Sequence, residues 1–234
     1  MSFRIGASVL LNCNGLAIQS YNFKTKRILG SIHQVLNFLD LYEVDEIHVI
    51  LPLKNIRSTD SYKSLLDLKE IEISTPIGIG GGITNENIEV ITKDPFFERL
   101  IFNSAIFKND SVLKKATSIM GRQSMVAYVP FRIDQNEISV YHAKKNIFIS
   151  VDKHFWQKLS KTFNEVILLD FFSEGNRVGF DFKVFELIEF PNNRILISGG
   201  LLTKDIKIAR KMNLAGVSLD NFALHREFLI NRLR

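Results

Sequence analysis

Two glycine runs in this sequence stand beside small polar residues in a way that could bind phosphate. The first combines Gly80, Gly81 and Gly82 with the later pair Asn103 and Ser104. Glycine lets the main chain approach a ligand closely, and successive N–H groups can then point at one anion. We predict a phosphate site here. The alternative is that these glycines only form a tight turn where a strand meets a helix.

The second run follows the same pattern in the other half of the chain. Ser198, Gly199 and Gly200 are followed by Asp220 and Asn221. Two such sites would suit a small molecule that is phosphorylated at both ends. Asp220 complicates this assignment, because its carboxylate would repel phosphate unless it points away. The second run therefore stays open between a phosphate site and a simple turn.

The elements that must position these residues alternate in a regular way. Short apolar runs separated by longer amphipathic segments are typical of βα units with a buried parallel sheet. We predict eight strands, at Arg4–Leu11, Glu46–Leu51, Ile77–Gly80, Arg99–Asn103, Ser124–Val129, Glu165–Leu169, Arg194–Ser198 and Gly216–Leu219.

The segments between the strands are predicted to form helices. One apolar stripe contains Ile32, Val35, Leu36 and Leu39; a later helix begins with a cap at Thr203, and a last helix spans residues 224–233. Eight strands joined in this way predict an α/β protein with a closed (β/α)8 barrel. An open, doubly wound sheet is the alternative.

The chain also repeats itself near its midpoint. The two glycine runs end the third and seventh strands, and their polar partners end the fourth and eighth. This offset predicts two half-barrels that form a single domain over residues 1–234.

Composition excludes several classes of function. The net charge is +5, but 30 basic residues are scattered among 25 acidic ones, which does not favour a nucleic-acid groove. The one cysteine, Cys13, excludes a disulfide framework and a cysteine-based zinc site. The histidines show no metal-ligand spacing, so we expect no metal and no redox cofactor. With no signal peptide and no membrane segment in the sequence, we expect a cytoplasmic protein.

Short motifs in a consistent order connect the chain to a known family. They are Asn14-Gly15, Tyr21-Asn22-Phe23, Asp45-Glu46, Thr75-Pro76, Gly80–Gly82, Asn103-Ser104-Ala105, Gly179-Phe180-Asp181, Ile197–Gly200 and His225-Arg226-Glu227. Together they resemble the cyclase subunit of imidazole glycerol phosphate synthase. The resemblance implies a barrel that accepts ammonia from a glutaminase partner and cyclises a bis-phosphorylated precursor.

The departures from that family concern its catalytic residues. Two aspartates of the family correspond to Leu11 and Val129, which cannot transfer protons. A lysine of the first loop corresponds to Gln19, and an aspartate after the second strand corresponds to Leu51. The resemblance therefore implies that the standard cyclase chemistry is lost.

A second feature of the family is retained. Its ammonia entrance is surrounded by four alternating charges at the strand beginnings, which correspond to Arg4, Glu46, Arg99 and Glu165. The alternative is that charged residues begin strands simply because they meet water there.

Two acidic residues lie after the sixth strand, on the side where a substrate would bind. Asp170 and Glu174 could replace the lost acid and base, although such residues more often cap a helix or stay solvated.

Three functions follow from these observations. The first, implied by the resemblance through paralogues in surface-sugar pathways, is a subunit that relays ammonia from a glutaminase to a third amidotransferase protein, which makes an acetamidino sugar. The second is imidazole glycerol phosphate synthase activity in histidine biosynthesis. The third is a non-catalytic barrel that binds a sugar phosphate.

Overall fold

The protein folds around a closed barrel of eight parallel strands. The structure, a computed structural model, describes residues 2–12, 14–51, 72–93, 95–108 and 111–224. The barrel strands are β1 (Arg4–Leu11), β4 (Glu46–Ile50), β5 (Ile77–Gly80), β6 (Arg99–Phe102), β7 (Met125–Asp134), β10 (Glu165–Asp170), β11 (Ile195–Ser198) and β12 (Gly216–Leu219).

Each of these strands pairs in parallel with the next, and the circle closes where β12 pairs with β1. The closed (β/α)8 barrel is thus confirmed, and the open sheet was the wrong alternative. Seven of the eight predicted strands agree with the structure within one residue, while β7 continues five residues beyond its predicted end.

Two antiparallel hairpins were not predicted. After β1 the chain forms β2 (Leu16–Tyr21) and β3 (Thr25–Ser31), and β7 continues into β8 (Glu137–His142) and β9 (Ile147–Ser150). The hairpins follow the first and the fifth barrel strand. These are equivalent positions in two half-barrels, which agrees with the internal repeat.

Seven α-helices lie within the described residues. They are α1 (Ile32–Leu41), α2 (Ile88–Thr92), α3 (Ser111–Met120), α4 (Lys153–Thr162), α5 (Val184–Leu187), α6 (Thr203–Lys211) and α7 (Asn221–Leu224). Thr203 is the first residue of α6 and not its cap; the carboxylate of Asp205 accepts the N–H of Leu202 instead, at 2.8 Å. Most of the predicted last helix, and the His225-Arg226-Glu227 motif, lie outside the described residues.

The side chains of the barrel form two separate layers. Residues that face the helices form the larger core, which includes the predicted stripe of α1 with Leu36 and Leu39. Residues of alternate parity face the barrel axis and form a second cluster, which includes Leu10, Ile101 and Ile167. This alternation decides which residues at the strand ends can reach a ligand.

Gly81 shows how tightly the loops at the strand ends pack. Its φ is +99°, and a Cβ would lie 2.0 Å from the carbonyl oxygen of Leu51. Gly179 has a similar φ of +95°, but a Cβ there would meet nothing closer than 3.4 Å.

We expect Gly81→Ala to lower the free energy of unfolding by about 3 kcal/mol or more, because it adds a main-chain clash to the strained φ. The control Gly179→Ala should cost about 1 kcal/mol, since it adds only the strained φ. Denaturant titration of both variants measures the difference. Equal costs would contradict the packing described at Gly81.

Candidate functional site

Four charged residues close one end of the barrel and are here named the charge ring. Arg4, Glu46, Arg99 and Glu165 stand at the beginnings of β1, β4, β6 and β10 and face the barrel axis. Arg4 contacts Glu46 at 3.1 Å and Glu165 at 2.5 Å. Arg99 contacts Glu165 and lies 3.8 Å from Glu46. Each cation therefore touches both anions, as the sequence arrangement predicts.

The two carboxylates of the ring are almost completely buried. The side chains of Glu46 and Glu165 are 3% and 4% exposed, whereas those of Arg4 and Arg99 are 19% and 24% exposed. Burial alone would raise the pKa of Glu46, but the nearby His48, Arg4 and Arg99 lower it to about 2. Glu46 is therefore ionised at neutral pH. The guanidinium groups of the ring form the part that a partner protein could contact.

A line of polar side chains, here named the polar column, continues from the ring into the barrel. Nε2 of His48 lies 3.5 Å from Oε1 of Glu46, and Nδ1 of His48 lies 2.8 Å from Oγ of Ser218. Ser218 in turn is hydrogen-bonded to Ser8 at 2.7 Å. Gly6 leaves room for this line, since a Cβ there would lie 2.9 Å from Glu46 and 3.2 Å from His48.

The polar column leads to a pocket in the mouth of the barrel, at the carboxyl ends of the strands. Enzymes with this fold place their active sites at that end. The pocket is lined by Ser8, Leu10, Ile18, Tyr128, Leu169, Glu174, Ser198, Asp220, Asn221 and Leu224. Ser8 belongs to both the column and the pocket, so the two are continuous.

The residues aligned with the family's catalytic aspartates do not face this pocket. Leu11 and Val129 are fully buried in the layer between sheet and helices. The axis-facing neighbours are Leu10 and Tyr128, which line the pocket instead. The aligned positions are therefore one residue out of register with the axis-facing positions. Neither the aligned pair nor the axis-facing pair contains a carboxylate.

Asp170 does not reach the pocket. Its side chain points outward from β10 and accepts the N–H groups of Ser173 at 3.3 Å and Asp181 at 3.2 Å. Burial raises its pKa in spite of these donors. Asp170 holds the loop after β10 in place, so it is a structural residue and not a substitute acid at the mouth.

Glu174 does lie in the pocket and is neither a helix cap nor solvated. It is 3% exposed, and its Oε2 accepts the N–H of Phe23 at 2.7 Å and the hydroxyl of Ser20 at 3.2 Å. Burial, helped by the charge of Asp220, raises the pKa of Glu174 to about 7. A carboxyl group with this pKa can both donate and accept a proton near neutral pH.

The first glycine site uses its side chains for internal contacts and leaves main-chain donors open. The amide of Asn103 donates to the carbonyls of Tyr128 and Tyr141, and Ser104 accepts the N–H of Lys144. Within the described residues, the N–H groups of Gly82 and Ser104 donate no hydrogen bond. Phosphate binding at this site would rest on those N–H groups and not on the predicted side chains.

The second glycine site is arranged differently. Oδ2 of Asp220 accepts the N–H of Gly175 at 3.0 Å and that of Gly200 at 3.1 Å. The hydroxyl of Ser198 donates to the carbonyl of Ser218, and the amide of Asn221 donates to the carbonyl of Ser20. Asp220 therefore points into the site, which is the orientation that the sequence argument set against phosphate binding.

Aromatic rings join the two hairpins beside the mouth. Phe171, which follows β10, packs against Phe23 at 5.1 Å and against Tyr141 and Phe148 at 4.9 Å each. Phe172 beside it is 60% exposed. The hairpin of β2 and β3 thus lines the pocket with Ile18, and Phe171 connects it to the hairpin of β8 and β9.

Metal binding finds no support in the described part of the chain, where no group of three or more His, Cys, Asp and Glu side chains could hold an ion. Cys13 lies outside the described residues. No helix among the described ranges is long and apolar enough to cross a membrane.

Several residues of the site were missed from the sequence. The site prediction did not include His48, which faces the barrel axis and joins the polar column with Ser8 and Ser218. Strand parity gives the signal that could have found them, because Glu46 and His48 must share one face of β4. Contact between Asp220 and Gly175 depends on a loop conformation that has no comparable sequence signal.

Comparison with known proteins agrees with this geometry. Residues 11–228 match the family described as histidine biosynthesis protein. A protein of Leptospira interrogans, provisionally named imidazole glycerol phosphate synthase subunit HisF, is 23% identical over 97% of this chain and 94% of its own length. The HisF subunit of Leuconostoc mesenteroides is 22% identical over 80% of this chain and 76% of its own.

A further relative from Parasynechococcus marenigrum, provisionally named imidazole glycerol phosphate synthase subunit hisF2, is 26% identical over 74% of this chain. The matched region spans 66% of that relative's length, just under two thirds. The family match covers nearly the whole sequence, and the barrel carries the axis-facing charge ring at one end and the glycine runs at the other. The chain therefore belongs to the histidine biosynthesis protein family, as a divergent, HisF-like barrel.

Proposed function

We propose that this protein is the barrel subunit of a glutamine amidotransferase complex. A HisH-like glutaminase docks against the charge ring, and ammonia passes through the barrel to an acceptor at the mouth. In this proposal the chain acts as one domain, and the complex works in the cytoplasm.

The observation that carries the proposal is the continuity between the two ends of the barrel. The charge ring, the polar column and the pocket form one succession of polar groups, from Glu46 through His48 and Ser218 to Ser8. Buried polar groups cost free energy unless they are paired, so a barrel with only a structural role would be better filled with apolar side chains. A line of polar groups through an otherwise apolar axis-facing layer suits the transfer of a small polar molecule.

The acceptor differs from the cyclase precursor in this proposal. Leu10 and Tyr128 occupy the axis-facing ends of the first and fifth strands, where acid–base chemistry on that precursor would need carboxylates. We propose that the acceptor is a surface aminosugar that becomes an acetamidino sugar, with a third amidotransferase protein completing the reaction. Its phosphate would bind at the open N–H groups of the first glycine site.

One observation favours a second function, acid–base chemistry of the cyclase type at the mouth. Glu174 lines the pocket, and its pKa of about 7 suits a general acid or base. Its hydrogen bonds to Ser20 and Phe23 also give it a structural task, which is why we place this function second.

We expect the protein to co-elute with a glutaminase from the same cell during size-exclusion chromatography and to stimulate glutamine hydrolysis. The basis is that electrostatic complementarity with a partner would use the partly exposed guanidinium groups of Arg4 and Arg99. A glutaminase assay on the separate and mixed proteins measures the stimulation. Absence of both effects would leave a sugar-phosphate-binding barrel as the better account.

We expect the double variant Glu46→Ala with Arg99→Ala to reduce stimulation of the glutaminase at least about tenfold. It removes one charge of each sign and leaves the pair of Arg4 with Glu165 in place. The matched control is Lys115→Ala with Glu89→Ala, which removes a 2.6 Å ion pair from the outer helices. Equal stimulation by both double variants would remove the charge ring from the proposed docking site.

Glu174 should make stability depend on pH. Its pKa is raised to about 7 in the folded protein from an ordinary value near 4.5, so ionisation disfavours the folded state. Compared with Glu174→Gln, the wild-type protein should lose up to roughly 3 kcal/mol of stability as the pH rises from about 4.5 through 7. Denaturant titration at pH 4.5 and pH 8 measures this; a difference between the two proteins that does not change with pH would contradict the shifted pKa.

A further inference from the structure

We propose that Asp220 is a built-in anion that fills the second glycine site, so that the barrel mouth binds ligands with a phosphate at one end only. The proposal narrows the class of ligand that binds at the mouth, and it rests on the function proposed for that end. It does not depend on the glutaminase, which would dock at the opposite end.

The geometry around Asp220 is that of an anion site already in use. One oxygen, Oδ2, receives two convergent main-chain N–H groups, from Gly175 at 3.0 Å and from Gly200 at 3.1 Å. Convergent N–H groups beside glycines are the usual way in which main chain holds a phosphate oxygen. Here the carboxylate takes both donors, so a ligand phosphate has none of them available.

The two donors are fixed in their directions. Gly175 and Gly200 have φ values of +74° and +62°. A Cβ would lie 1.9 Å from the carbonyl oxygen of Ser20 at the first position and 2.4 Å from that of Asn176 at the second. The close packing of these loops requires glycine at both positions. The two N–H groups therefore have a fixed spacing, and Oδ2 of Asp220 lies where it accepts both.

The other half-barrel provides an internal comparison. In the repeat, Gly82 corresponds to Gly200, and Asn103 corresponds to Asp220. Asn103 is neutral and turns its amide towards the carbonyls of Tyr128 and Tyr141. The N–H groups of Gly82, Ser104 and Ala105 donate no hydrogen bond within the described residues. At the equivalent glycines, the N–H of Gly82 thus stays open, while that of Gly200 is satisfied by a carboxylate of its own half-barrel.

The acidic side chains of the pocket also disfavour a phosphate at this site. Asp220 and Glu174 both line the pocket, and the charge of Asp220 contributes to the raised pKa of Glu174. A phosphate placed here would lie within a few ångströms of two carboxyl groups, without a compensating hydrogen bond from Gly175 or Gly200. The far end of the ligand therefore carries no phosphate.

The test counts inorganic phosphate ions bound per chain by isothermal titration calorimetry. The wild-type protein should bind one at most. Asp220→Ala should bind one more than the wild type, because it frees both N–H groups and removes the negative charge. The control Asp181→Ala removes an exposed carboxylate near the same loop and should leave the number unchanged.

Two results would overturn the proposal. One is an Asp220→Ala protein that folds and binds no more phosphate than the wild type. The other is a wild-type protein that binds two phosphate ions, a result that needs no variant. Co-elution of each protein with the glutaminase is measured separately, so failure of the partner proposal would be seen without changing the phosphate count.

Discussion

The burial of two carboxylates against two arginines is the constraint on which the rest of this barrel depends. Glu46 and Glu165 are nearly removed from water, and an uncompensated buried charge costs several kcal/mol. Arg4 and Arg99 compensate both carboxylates, because each guanidinium group contacts both of them. Four strands must begin in register to bring these groups together. Closure of the barrel and pairing of the four charges at this end therefore depend on each other.

The ring also determines what can follow it inside the barrel. His48 lies next to Glu46, and Gly6 leaves the space that both side chains need. From there the serine hydroxyls of Ser218 and Ser8 extend the polar contacts to the mouth. Together with the family match, this continuous arrangement supports an ammonia-receiving subunit in which the chemistry at the mouth has changed.

The sequence could predict features that depend on neighbouring residues more readily than contacts between residues far apart in the chain. The barrel strands could be predicted because buried parallel strands have short apolar runs, as in Ile77–Gly80. The hairpins were missed although their turns have a recognisable form: Gln135 and Asn136 both have positive φ, and apolar residues alternate on either side of them. Contacts between distant loops, such as Asp220 with Gly175, could not be predicted, because they depend on how separate strand ends meet in space.

Hydrogen–deuterium exchange in the presence of the glutaminase tests the central claim most directly. If the partner docks at the charge ring, added protection should appear in the loops that precede the ring strands, at residues 42–45, 95–98 and 163–164. The loops at the mouth, around Gly175 and Gly200, should exchange as they do in the free protein. Protection confined to the mouth, or none at either end, would contradict the account of a barrel that receives ammonia through its charged end.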